Sequence, residues 1–403
     1  MTHQPLRREL GLAGAIVVGL GSILGTGAFV SIGLASSQWG DAVLLAIPLA
    51  GLLAVFNGLS SAYLAGRFPV AGGTYEFAYE TVGPALGFTA GWLFLLAKTA
   101  SAASAALGIA VYLGWGDAIA VAVGATIAMT GLVITGLRRT TVVNTVLVTL
   151  TILALVAFTW AGLTEAGGIA VGLLSEEPEL VGSILPAIAF LFVAYTGYGR
   201  VATLGEEVTE PEHTIPRAVI VTLVVAGLLY MGVELGGRAL GGPTWGSVLE
   251  FGGLTPATIL EDPYRGIVTV GAVTAMAGVL LNLVLGLSRV WLAMGRRGDM
   301  PARLSLLDAK SQPLAATVLS GITIALVCLL GDIRLAWSFS GFTVLLYYGI
   351  TNLAALKLDR RRWTAWAGLA SCVLLSFFVT IQVWLIGIGL VLLGLLWHRQ
   401  RRS

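Results

Sequence analysis

Apolar residues occupy most of this chain in long runs, and the short segments between the runs carry most of its charges. Twelve of the runs are long enough to cross roughly 30 Å of hydrocarbon as α-helices. An all-α integral membrane protein with about twelve transmembrane helices is therefore predicted. The predicted spans are 12–34, 42–66, 85–113, 117–137, 141–163, 183–204, 215–238, 266–292, 314–331, 335–356, 364–380 and 382–398.

Composition supports this class and excludes several others. The chain is 57% hydrophobic and 11% charged, whereas soluble domains carry about 25% charged residues. Cys328 and Cys372 lie inside apolar runs, and the three histidines lack metal-ligand spacing, so neither a disulfide framework nor a metal site is expected. Phosphate-binding glycine loops and basic, aromatic-rich patches are absent from the sequence. We therefore expect no cofactor, no nucleic-acid partner and no ATP-driven transport by this chain alone.

The positions of lysine and arginine predict the orientation. With the N-terminus in the cytoplasm, eighteen of the 23 basic residues fall in inside loops or tails and three in outside loops, while Lys98 and Arg200 fall within spans. This asymmetry follows the positive-inside rule. The first apolar run exceeds the hydrophobic length of a cleaved signal peptide, so it should remain as a span. The prediction is a multi-pass protein of the plasma or inner membrane with both termini cytoplasmic.

Two predicted spans contain glycine clusters near mid-depth, Gly21–Gly27 in span one and Tyr195–Gly199 in span six. Each glycine costs a helix about 1 kcal/mol relative to alanine. Clusters five spans apart favour broken helices at matching positions of two inverted five-span repeats, with a binding site at the midplane. Close helix packing is the alternative explanation. The predicted division is residues 1–163 for the first repeat, 164–182 for an outer loop, 183–356 for the second repeat, and 357–403 for spans eleven and twelve with the tail.

Four ordered stretches resemble one family of permeases. They are similar to its patterns G-[ST]-G-x-F, P-x-x-G-G-x-Y, E-E-V-x-x-P…I-P and S-R…A-M-x-R-x-G-x-x-P, and they lie at Gly25–Phe29, Arg67–Tyr75, Gly205–Pro216 and Ser288–Pro301. On these stretches the chain resembles the amino acid–polyamine–organocation (APC) superfamily, whose members share the leucine-transporter (LeuT) fold. Spans nine to twelve match only in hydropathy. The resemblance implies a LeuT-like 5+5 inverted repeat with broken helices 1 and 6.

The resemblance also implies a substrate site at the breaks. Unwinding would free amides at the positive end of a half-helix to bind a carboxylate, and would free carbonyls to accept an ammonium group. The expected carboxylate site is built from Gly25, Thr26, Gly27 and Ala28, with the Thr26 hydroxyl as a further donor. The expected ammonium acceptors are the carbonyls of Ser22, Ile23, Val193, Ala194 and Thr196. The remaining walls are assigned to Ser101, Ala102 and Ala105 of span three and to Tyr195, Gly197 and Tyr198 of span six.

Two departures from the family pattern bear on the substrate and on coupling. Many members carry a carboxylate at the position of Gly199, and its absence here favours neutral over cationic substrates. Span eight has no Ser or Thr between Ala275 and Leu287, and its one polar residue there is Asn282, so the hydroxyls of a sodium site are missing. Thr151 stands where some relatives place a lysine in span five.

Two charged residues fall inside the predicted spans. Lys98 lies about ten residues into span three, roughly 15 Å deep, where a charge is costly and by default functional. Snorkelling to the cytoplasmic face, or a structural contact with a carbonyl, is the alternative for Lys98. Arg200 is either an electrostatic anchor to Glu206 or a gate residue. Lys98 and Thr151 are the candidate coupling positions.

The function predicted is secondary active transport of neutral L-amino acids by alternating access, with proton coupling or exchange. A facilitative channel or a non-transporting amino-acid sensor on the same fold is the alternative. A membrane-embedded enzyme is disfavoured because no His/Asp/Glu cluster lies within the spans, and Glu234 and Arg238 sit near an outer edge. The predicted partners are a small amino acid, a proton and the lipid bilayer. The sequence leaves the oligomeric state open.

Overall fold

The computed structural model describes residues 10–68, 70, 72–165, 182–202, 207–242, 245, 256–308 and 311–402. Within those residues the chain forms helices joined by short loops. The first eight helices are α1 Leu12–Ile23, α2 Ile32–Trp39, α3 Ala42–Arg67, α4 Thr74–Thr81, α5 Pro84–Leu113, α6 Ala118–Ile134, α7 Leu137–Glu165 and α8 Ile184–Tyr195. The others are α9 Gly199–Ala202, α10 Pro211–Gly241, α11 Tyr264–Arg296, α12 Leu314–Cys328, α13 Ile333–Leu358, α14 Trp363–Ser376 and α15 Ile381–Arg402.

These helices coincide with the predicted spans. In the described part of the chain, nine helical segments are long and apolar enough to cross a membrane. Three shorter apolar helices, α6, α12 and α14, coincide with predicted spans four, nine and eleven. The predicted all-α membrane fold is therefore confirmed. The predicted ends are less accurate, since α14 ends at Ser376 rather than 380 and α15 continues to Arg402 rather than 398.

The hydropathy pattern does not predict the short helix α4. It follows Gly73, whose φ of 57° suits glycine. Tyr75 and Phe77 are buried against the bundle while Glu80 faces outward. An eight-residue amphipathic helix is too short to give an apolar run, so only its aromatic and acidic alternation could have revealed it.

The first span is interrupted between α1 and α2. Leu24 leaves the helical conformation with ψ 89° after its amide donates to the Leu20 carbonyl at 2.8 Å. The chain resumes as a π-helical turn over Gly27–Ser31 that leads into α2. A Cβ atom on Gly25 would overlap Val279 of α11, so the break packs too closely there for a side chain.

The sixth span is interrupted between α8 and α9. A 3₁₀ turn over Thr196–Tyr198 replaces the regular helix. Gly197 in this turn lies against the Ser22 carbonyl of α1, leaving no room for a Cβ atom. Both predicted interruptions are present, and they touch each other inside the bundle.

The bundle has a buried centre and an apolar outer surface. Burial covers 83% of the apolar segment of α5 but only 22% of that of α15, so α5 is central and α15 peripheral. Large apolar side chains such as Leu228, Leu330, Phe377 and Ile381 remain exposed on the outside. Exposed apolar surface of this extent fits contact with lipid rather than water. The two breaks lie in the buried centre.

Candidate ligand site at the two helix breaks

A tyrosine from α10 joins the two breaks. The Tyr230 hydroxyl lies 2.9 Å from the Ile23 carbonyl of the first break and 2.9 Å from the Ala194 carbonyl of the second. One hydroxyl proton can be donated to only one carbonyl at a time. Two carbonyls assigned to an ammonium group by the sequence therefore share one protein donor. The sequence did not reveal Tyr230, because a lone tyrosine in an apolar span does not say which break it faces.

The first break presents one uncommitted polar side chain. The Thr26 hydroxyl is buried and makes no hydrogen bond within the described residues. The amides of Ala28 and Phe29 both donate to the Gly25 carbonyl, at 3.0 and 3.1 Å. Among the expected carboxylate donors, the Ala28 amide is therefore already engaged in this structure. Gly27 lies directly against Ala194, so the π-helical turn faces the second break.

Lys98 reaches the second break from α5. Its Nζ donates to the Thr196 carbonyl and to the Thr196 hydroxyl oxygen, each at 3.2 Å. The Tyr348 hydroxyl of α13 donates to the same carbonyl at 3.0 Å. Lys98 is only 3% exposed and forms no ion pair with any described residue. It does not snorkel, and its ammonium contacts a carbonyl that the sequence assigned to the substrate's ammonium.

Other residues predicted to line the site make separate contacts. The Tyr195 hydroxyl donates to the Ile47 carbonyl of α3 at 3.0 Å. Its ring packs edge-on against Tyr230, with the centroids 5.1 Å apart. The Val193 carbonyl accepts from the Thr196 hydroxyl at 2.8 Å. Ser101 is half-buried, one helical turn from Lys98 on α5.

Gly199 lies beside the aromatic wall of the second break. A Cβ atom on it would come within 2.5 Å of the Tyr348 hydroxyl oxygen. The Tyr198 ring stacks on Tyr348, with centroids 5.1 Å apart. Tyrosine from α13 therefore fills the space beside Gly199, the position at which the family resemblance would place a carboxylate.

Amides occupy the space between spans one, five and eight. Asn282 of α11 donates to the Asn144 side-chain oxygen of α7 at 2.5 Å, and Asn144 donates to the Val17 carbonyl of α1 at 3.2 Å. Gly21 packs against both amide groups. Thr151, one of the two candidate coupling positions, is buried and donates to the Leu147 carbonyl of its own helix at 2.8 Å. The amide pair joins three helices, and the sequence pattern identified only Asn282.

Polar contacts close the bundle at the end where α1 begins and α15 ends, here called the basic end. The Leu10 amide donates to the Glu207 carbonyl at 3.0 Å, and the Leu10 carbonyl accepts from the Thr209 amide at 2.8 Å. Arg289 donates to the Glu207 carboxylate at 2.8 Å. Arg200 is buried nearby, whereas Glu206, its predicted anchor, lies outside the described residues.

A buried ionic cluster closes the opposite end. Arg238 of α10 pairs with Asp41 at 2.7 Å and with Glu234 at 2.6 Å. Trp245, beyond α10, donates its indole N–H to Glu234 at 3.1 Å. These contacts tie the start of α3 to α10.

Sequence comparison with known proteins shows which family this chain resembles. Residues 14–261, more than half of the chain, match the amino acid permease family. An uncharacterised transporter of Mycobacterium tuberculosis is 35% identical over 98% of this chain and 92% of its own length. A branched-chain amino acid permease of Bacillus subtilis is 28% identical over 81% of this chain and 75% of its own length. A mitochondrial cationic amino acid transporter of Arabidopsis thaliana is 25% identical over 82% of this chain and 59% of its own length.

Proposed function

The chain belongs to the amino acid permease family and is a membrane transporter of amino acids, not an enzyme; from that premise we propose that it carries neutral L-amino acids by secondary active transport. Transport proceeds by alternating access, driven by protons or by exchange. The single observation that carries the proposal is the contact of the Lys98 ammonium with the Thr196 carbonyl. It places a protein cation at the break where a substrate ammonium would bind.

The substrate backbone is read by the two breaks. The buried Thr26 hydroxyl, which lacks a partner within the described residues, and the Thr26 and Gly27 amides receive the carboxylate. The carbonyls of Ser22, Ile23, Val193, Ala194 and Thr196 are the acceptors available to the ammonium group. A bound substrate ammonium would share these acceptors with the Tyr230 hydroxyl and the Lys98 ammonium, which already donate to members of this set.

The electrostatics of the breaks favour a neutral side chain. Lys98 contributes a positive charge, and Gly199 stands where a carboxylate would attract a cation. Among the described residues no carboxylate forms an ion pair with Lys98. The named relatives include both a branched-chain permease and a cationic transporter, so similarity alone does not choose between these classes. Repulsion from Lys98 disfavours arginine and polyamines, which carry a second positive charge, relative to aliphatic amino acids.

Lys98 is the proposed coupling group. Loss of its proton replaces the charged donor to the Thr196 carbonyl with a weaker neutral one, so proton release loosens the contact between α5 and the second break. A neutral amine donates more weakly than an ammonium group, because charge-assisted hydrogen bonds are about twice as strong as neutral ones. Thr151 donates only within its own helix, so it serves as a lining residue of the coupling region.

The orientation completes the proposal. Both termini are cytoplasmic in a plasma or inner membrane, because most basic residues lie at the basic end, where α1 begins and α15 ends. The spans form two inverted repeats, residues 1–163 and 183–356, followed by two accessory spans in 357–403. Each repeat then contributes one broken helix to the site.

Substrate selection in proteoliposomes tests this function. The purified protein should take up labelled leucine or alanine with choline in place of sodium, while unlabelled arginine competes at least tenfold more weakly. Lys98→Ala should reduce the discrimination against arginine, because it removes the repelling charge. Equal competition by arginine against the unaltered protein would contradict the neutral-substrate proposal. Binding without uptake would identify a sensor. Uptake that never raises the internal concentration above the external one would identify a facilitative channel.

A further inference from the structure

A polar cleft of about 310 Å³ opens at the basic end, away from the helix breaks. Tyr63 and Arg67 line it from the last turns of α3, Glu212 from the first turn of α10, and Arg362 from the N-cap of α14. We call these four residues the headgroup cleft. The proposed transport mechanism uses none of them.

Two arginines of the headgroup cleft converge on one aromatic ring. The guanidinium carbon of Arg362 lies 3.6 Å from the Tyr63 ring centroid, and that of Arg67 lies 5.5 Å from it. Neither arginine forms an ion pair with a described residue, and neither does Glu212. Attraction to the ring favours each cation separately, but the two like charges repel each other. An anion between the guanidinium groups would relieve this repulsion.

Helix electrostatics account for one arginine and not for the other. Arg67 lies in the last turn of α3, where the helix dipole favours a cation. Arg362 lies at the N-cap of α14, where the dipole disfavours a cation, and the first turn of α14 contains no acidic residue. The Arg362 Nε is buried and has no hydrogen-bond partner within the described residues. An anion that accepts from the Arg362 guanidinium would offset the unfavourable position of this cation at the helix end.

The surroundings indicate a lipid rather than a free anion. Trp363 and Trp366, just beyond the headgroup cleft on α14, are 66% and 54% exposed. Tryptophan is enriched at the membrane–water interface, so the cleft lies at headgroup depth. Basic pockets between transmembrane helices on the cytoplasmic side bind the phosphate groups of cardiolipin and phosphoinositide headgroups, so a lipid phosphate suits this position.

We propose that the headgroup cleft binds an aminophospholipid of the cytoplasmic leaflet. The lipid phosphate accepts hydrogen bonds from Arg67 and Arg362, whose planar guanidinium groups match phosphate oxygens. The lipid ammonium donates to the Glu212 carboxylate, which faces the same cleft. The acyl chains lie along the exposed apolar surface of α14.

Native mass spectrometry of the purified full-length protein tests the proposal. Phosphatidylethanolamine, phosphatidylglycerol or diacylglycerol is added to delipidated protein, and bound lipid is measured against concentration. The variant carrying Arg67→Gln and Arg362→Gln should bind phosphatidylethanolamine at least tenfold more weakly. Arg361→Gln, an exposed neighbour outside the cleft, should bind as the unaltered protein does. Glu212→Gln should remove the preference for phosphatidylethanolamine over phosphatidylglycerol.

Single substitutions keep the test decisive if the double variant does not fold. Arg362→Gln alone should weaken phosphatidylethanolamine several-fold, and Arg362→Lys should restore part of the loss because the positive charge returns. The phosphate contact would be overturned if diacylglycerol bound as tightly as phosphatidylethanolamine. It would also be overturned if Arg361→Gln lost as much binding as Arg362→Gln. Displacement of the lipid by inorganic phosphate at matching concentration would identify a free-anion site and overturn the lipid assignment.

Discussion

Substitution of Gly27 by valine tests the proposed carboxylate site by changing one residue within it. Gly27 opens the π-helical turn of the first break and faces the second break. A Cβ atom there would lie 2.8 Å from the Ala194 Cβ and 3.0 Å from the Tyr230 hydroxyl oxygen. Unbonded carbons pack at about 3.5–4.0 Å, so the breaks must move apart by on the order of 1 Å.

The expected loss follows from two effects. Overpacking of a well-packed interior costs about 1–3 kcal/mol. Misplacing the Gly27 amide weakens a hydrogen bond to a charged carboxylate, which contributes about 1.5–3 kcal/mol. The first cost falls on the stability of the fold, whereas the second falls on binding and predicts a loss of substrate affinity of roughly 10- to 100-fold, about 1.5–3 kcal/mol. The protein should still insert and purify, because the rest of the bundle is unchanged.

Equilibrium binding of a labelled neutral amino acid is the assay, with Gly124→Val as the matched control. Gly124 lies on α6 with no atom near its would-be Cβ, so its substitution should leave binding unchanged. The methyl ester of the same amino acid should compete at least tenfold more weakly than the free acid, a loss of about 1.4 kcal/mol. Gly27→Val binding within threefold of the unaltered protein, or equal competition by the ester, would refute the carboxylate site.

Further predictions concern topology, coupling and the link between the breaks. Cysteine at Trp115, in the loop between α5 and α6, should react with an impermeant maleimide from outside, and cysteine at Arg361 should not; the reverse pattern would contradict the orientation. Lys98→Ala should abolish the pH dependence of uptake while equilibrium binding of substrate persists. Lys98→Arg should stop uptake, because a guanidinium group keeps its proton. An unchanged pH profile in Lys98→Ala would show that another residue is the coupling group. Tyr230→Phe should lower the free energy of unfolding by about 1 kcal/mol, because the Ile23 and Ala194 carbonyls lose their donor. The measurement is the Tm in detergent, which should fall. An unchanged Tm would show that the Tyr230 hydroxyl does not stabilise the junction between the two breaks.

The spans and breaks could be predicted because their signals are local. A membrane helix needs a long apolar run, and a break needs glycines at mid-depth, so both are readable without knowledge of tertiary contacts. The close approach of Gly197 to Ser22 has the same origin, since glycine is required where two backbones meet. The short helix α4 lacked such a signal because it neither spans the membrane nor carries an apolar run.

The partners within the site could not be predicted because they come from distant helices. Lys98 was recognisable as a deep charge, but Thr196, its partner, lies 98 residues away in sequence. Tyr230 and Asn144 are isolated polar residues in apolar spans, and packing alone determines which backbone carbonyls they reach. The Ala28 amide illustrates the same limit, because its hydrogen bond to Gly25 depends on how the chain turns after the break.

Proton-driven accumulation in proteoliposomes tests the central claim most directly. With sodium absent and the interior one pH unit more alkaline, one proton per substrate provides about 1.4 kcal/mol, enough for roughly tenfold accumulation of a neutral amino acid. A protonophore should abolish this accumulation, and Lys98→Ala should not accumulate substrate at all. If transport is exchange instead, uptake should require liposomes preloaded with a neutral amino acid. Uptake that stops at the external concentration under both conditions would contradict secondary active transport by this protein.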